Sequence, residues 1–68
     1  MNARQAVEQN EVLTNDLLTA SKEMAKRLNI TIEEAIDKKV AFYVKNAKSN
    51  NEAAAWEIRG ENAKKKIL

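Results

Sequence analysis

Chemistry needs side chains that attack, accept or coordinate at neutral pH, and this chain of 68 residues offers few. It has no histidine and no cysteine. That removes the commonest general base, the thiolate nucleophile and the ligands of a structural zinc site. The one close carboxylate pair, Glu33 and Glu34, stands on adjacent residues just after a capping threonine, where two carboxylates favour the positive end of a helix dipole. The single glycine, Gly60, cannot build a phosphate-cradling loop. Lys64, Lys65 and Lys66 form the remaining cluster, able either to meet phosphates or to complement the negative end of a last helical turn. The chain reads as non-enzymatic, with no metal and no cofactor.

The elements that would position these groups are helices. Ile32, Ala35, Ile36, Val40, Tyr43, Val44 and Ala47 recur at three and four, one face of an α-helix. Thr31 followed by Glu34 is a capping box, and Ser49 followed by Glu52 repeats it. Asn29 is placed to close the preceding helix in a left-handed conformation. The expected elements are helix A at 16–28, helix B at 32–48 and helix C at 51–66, with Trp56, Arg59, Gly60, Ala63 and Ile67 on one face of helix C. Gly60 there would let backbones approach.

Residues 1–13 form an N-terminal arm with two readings. As a helix, Ala3, Ala6, Val7, Asn10, Leu13, Leu17, Ala20, Ser21, Met24 and Leu28 make one continuous stripe. As a strand, neither alternate face is apolar. Thr14-Asn15-Asp16 favours a fresh helix start, because short polar side chains accept from free N–H groups.

Size sets a further expectation. A chain this short buries only about 60% of its unfolded surface, and without cysteines or zinc ligands the usual staples are missing. A homodimer completing its core across a two-fold axis is expected, with Ile36, Val40, Tyr43 and Val44 as the dimer and core stripe. A monomeric three-helix unit is the other possibility. Absence of proline and abundant Ala, Glu, Lys and Leu make the expected fold class all-α. No apolar run approaches the ~20 residues of a membrane span, and no signal-peptide pattern opens the chain, so the expectation is a cytoplasmic protein with no membrane partner. The formal charge is +2, but residues 1–37 carry four basic against seven acidic residues, net −3, and residues 38–68 carry eight against three, net +5. Attraction for phosphate would sit in the C-terminal half.

Residues 14–45 resemble the ribbon-helix-helix family of dimeric DNA-binding proteins, without a gap. The resemblance rests on Leu13-Thr14-Asn15-Asp16-Leu17-Leu18, on Met24-Ala25-Lys26-Arg27-Leu28-Asn29-Ile30-Thr31, and on Glu34-Ala35-Ile36 with Val40, Tyr43 and Val44. It implies a homodimeric regulator that lays a strand into the major groove of double-stranded DNA. On that register Glu8, Asn10 and Val12 would face the bases, and only Asn10 suits the task, since phosphates repel a carboxylate. The DNA-binding candidates are therefore Asn10, Thr31 at the start of helix B, and Lys64, Lys65 and Lys66. A helix-turn-helix over Ser21–Val44 fits less well, because Ile32, Glu33 and Asp37 would face a polyanion. The alternative is a helical module binding a protein partner and no DNA, with Phe42 and Trp56 at the interface.

Overall fold

Two capped breaks divide the chain. At the first, Asn29 adopts φ 55° and the N–H of Ile30 donates to the Ala25 carbonyl at 3.1 Å, the left-handed closure that satisfies a helix's last carbonyls. Thr31 then caps the next helix. Its hydroxyl oxygen accepts the Glu34 N–H at 3.1 Å and its hydroxyl donates to Glu34 Oε1 at 3.2 Å. At the second break Ser49 Oγ accepts the Glu52 N–H, while Glu52 Oε2 accepts the Lys48 N–H. The computed structural model describes residues 3–67, and these caps separate α1 (Ala3–Leu28), α2 (Ile32–Lys45) and α3 (Asn50–Ile67). The fold is all-α, with no strand among the described residues.

Two expected boundaries are corrected. Helix A does not start at residue 16: α1 begins at Ala3 and passes through Thr14-Asn15-Asp16 unbroken. Thr14 is buried and its hydroxyl donates to the Asn10 carbonyl at 2.8 Å, so it serves the helix interior instead of a cap. The long stripe outweighs a local capping preference, because packing an amphipathic face contributes more than propensity. The arm left open between strand and helix is helix over its described residues; Met1, Asn2 and Leu68 lie outside them. Helix B stops at Lys45, not 48. There the Asn46 side chain donates at 2.8 Å to the Phe42 carbonyl, which also accepts the regular Asn46 N–H, and the next N–H, that of Ala47, turns to the Val44 carbonyl three residues back, which ends the regular ladder. The expected span of helix C differs by one residue at each end, within ordinary fraying.

Short connections fold α2 back along α1 and α3 back along α2. The 26-residue α1 is about 39 Å long and spans the longest dimension of the molecule, 40 Å. The core is thin. Leu17, Ile36 and Ala63 form its buried cluster, one residue from each helix, with Leu18, Ile32, Val40, Tyr43, Trp56 and Ile67 packed partly buried around it. Ala25 and Ala35 are buried as well. Gly60 does what the sequence suggested: a Cβ built on it would lie 2.7 Å from Val40 Cγ2, so α3 approaches α2 as closely as it does only because that atom is missing.

Candidate interaction surface

One connected set of side chains ties the three helices together near the start of α1. Tyr43 of α2 stacks on Trp56 of α3 with centroids 4.0 Å apart and planes 9° from parallel. Arg59 lies over the same indole at 4.6 Å, and its Nε donates to Asn10 Oδ1 on α1 at 2.8 Å. Stacking and cation–π contact hold the guanidinium flat while the amide fixes its rotation. Asn10, expected at a DNA groove on a strand, is thus on a helix and half-buried against Arg59. Thr31, the second DNA candidate, is engaged as a helix cap.

The lysine run points three ways. Lys64 bridges to Asp37 on α2 at 2.6 Å; its hydrogen bond to that carboxylate holds the ammonium pKa above its ordinary value. Lys66 donates to Asn15 Oδ1 on α1 at 2.5 Å, and Lys65 is exposed. The run therefore fastens the end of α3 to both neighbours. Ile36 is fully buried, Val40 packs on Gly60, Tyr43 stacks on Trp56 and Val44 is half-buried. Ile36, Val40 and Tyr43 of the stripe expected to seek a second subunit are packed against α3 of their own chain.

Of the two aromatic interface candidates, Trp56 is half-buried in the stack and Phe42 is 63% exposed. Phe42 touches the edge of Tyr43, with centroids at 5.8 Å. Around it, at the i±3 and i±4 positions that neighbour each other on a helix surface, stand Lys38, Lys39, Lys45 and Asn46. None of the three lysines has an ion-pair partner among the described residues. Beside them Ala20, Glu23, Met24, Arg27 and Leu28 of α1 join Lys39 of α2 in lining a groove that no residue of α3 lines. Asp16 and Glu23 are likewise exposed and without ion-pair partners among the described residues.

Sequence reasoning placed Phe42 but missed its lysine ring, although Lys38, Lys39 and Lys45 can be read at helical spacing once α2 is accepted. It placed Arg59 beside Trp56, but nothing local announces the bond to Asn10, far away in sequence. Among the described residues no helix is long and apolar enough to cross a membrane. Comparison with protein-family models, curated proteins and solved structures gives no match.

Proposed function

We propose that the chain is a non-enzymatic helical interaction module whose partner is another protein surface. The observation that carries this reading is unburied surface. The chain exposes 5123 Å², against about 4300 Å² expected of a compact monomer of its mass. The excess is about 800 Å², one partner's share of a standard protein–protein interface. Val7, Val12, Leu28, Phe42 and Ile58 are each more than half exposed, while the buried cluster holds only two side chains larger than alanine, Leu17 and Ile36.

Reading of DNA through a ribbon has no support in this fold, because residues 6–13 are helical and Asn10 is bonded to Arg59. Fluorescence anisotropy with a labelled duplex tests the choice. At about 20 mM salt, where phosphate contacts are strongest, no saturable binding is expected. Saturable binding that weakens steeply with added salt would return the chain to the DNA-binding class.

A further inference from the structure

We propose that the partner is a second copy of this chain, docked by the face that α1 and α2 present away from α3, in a two-fold pairing that sets α1 of each copy over α2 of the other. The proposal rests on the interaction-module reading and names its partner. Its first support is charge. On α1 this face carries Asp16, Glu23 and, a turn further on, Arg27, and on α2 it carries Lys38, Lys39 and Lys45, with no ion-pair partner for any of the six among the described residues; over residues 16–23 the α1 face is acidic. Two copies would bring Asp16 and Glu23 of one chain against Lys38 and Lys45 of the other.

Symmetry supplies the second argument. Because α1 and α2 run antiparallel, a two-fold axis parallel to them keeps each residue at its own height and exchanges the helices across the interface. Each acidic α1 stretch then meets a basic α2 stretch at the same level, twice, and the contact closes as a dimer instead of propagating. Lys39 already shares a groove with Ala20, Glu23 and Met24 inside one copy, so residues 16–23 and 38–45 overlap in height. Phe42 would seat in the copy's groove among Ala20 and Met24, and four antiparallel helices would form a bundle with each α3 outside. The whole-chain excess of about 800 Å² matches the order of area that one side of a stable interface covers.

Charge reversal with mixing tests this, using exposed residues so that the fold is left intact, as circular dichroism would check. Sedimentation should show wild type as a dimer within about 1–500 µM. Lys38→Glu/Lys45→Glu and Asp16→Lys/Glu23→Lys should each raise the dissociation constant more than tenfold, and Phe42→Ser should do the same. An equimolar mixture of the two reversed chains should dimerise again, since every contact in the mixed pair regains opposite signs. A wild type monomeric throughout that range overturns the second copy as partner. A wild-type dimer that all three variants leave unchanged overturns the face but not the interaction-module reading. Capture of a labelled single-stranded oligonucleotide by wild type, lost in Lys38→Glu/Lys45→Glu, overturns both.

Discussion

Replacing Gly60 by alanine sets two effects against each other. Helix propensity alone favours the substitution by about 1 kcal/mol, since glycine in a helix interior costs that much relative to alanine. The new methyl, however, would sit 2.7 Å from Val40 Cγ2, and a β-branched side chain has little freedom to turn aside. Such overpacking costs about 1–3 kcal/mol, so Gly60→Ala should be neutral to destabilising by about 2 kcal/mol. Val40→Ala alone should cost about 1–2 kcal/mol for its half-buried methyls. In the double variant the nearest remaining atom, Val40 Cβ, is 3.7 Å away, an ordinary contact, and the propensity gain is recovered. The double variant should therefore be more stable than the sum of the singles by about 2 kcal/mol. Urea unfolding followed by circular dichroism measures all four corners of this cycle. Additivity within about 0.5 kcal/mol would refute the close approach of α3 to α2.

Other outcomes follow from single groups. Ser21 is fully buried in α1 and its hydroxyl has no hydrogen-bond partner among the described residues, so Ser21→Ala should raise stability by about 1 kcal/mol, read from the urea midpoint; a loss would mean that the hydroxyl is bonded. Lys64 has its pKa raised by Asp37, so the pair's contribution is full below the ordinary lysine value of 10.5 and is lost as pH rises through the elevated one. Wild type should thus lose stability more steeply above that pH than Lys64→Met, and equal slopes would remove the pair from the account. Asn10→Ala should cost about 1–2 kcal/mol by leaving Arg59 Nε without its acceptor, whereas Lys65→Ala, on an exposed side chain, should change the midpoint by no more than about 0.5 kcal/mol.

Local chemistry was legible where one short stretch decides the outcome. Asn29, Thr31 with Glu34, and Ser49 with Glu52 mark the two breaks, because each cap satisfies backbone groups within a few residues. The face of α3 through Trp56, Gly60 and Ala63 was legible by period alone. The start of α1 was not, since Thr14-Asn15-Asp16 suits a cap equally well until the burial of Thr14 and its bond to the Asn10 carbonyl show it inside a helix. Of the candidate surface, Phe42 could be named in advance. What could not be read was that α3 covers the stripe through Ile36 and Val40, which shifts any face left for a second chain from that stripe to the other side of α2. Nor could the bond between Asn10 and Arg59 be read, which depends on how α3 returns along α1.

The conformation of the first turns of α1 separates the two functional readings, because a helix there leaves no ribbon to read bases. Backbone chemical shifts of residues 5–13 report it most directly. Cα shifts displaced downfield of random coil, continuous with those of Leu17 to Leu28, are expected. Upfield Cα shifts over Ala6 to Leu13, with cross-strand contacts to a second chain, would contradict a helix there.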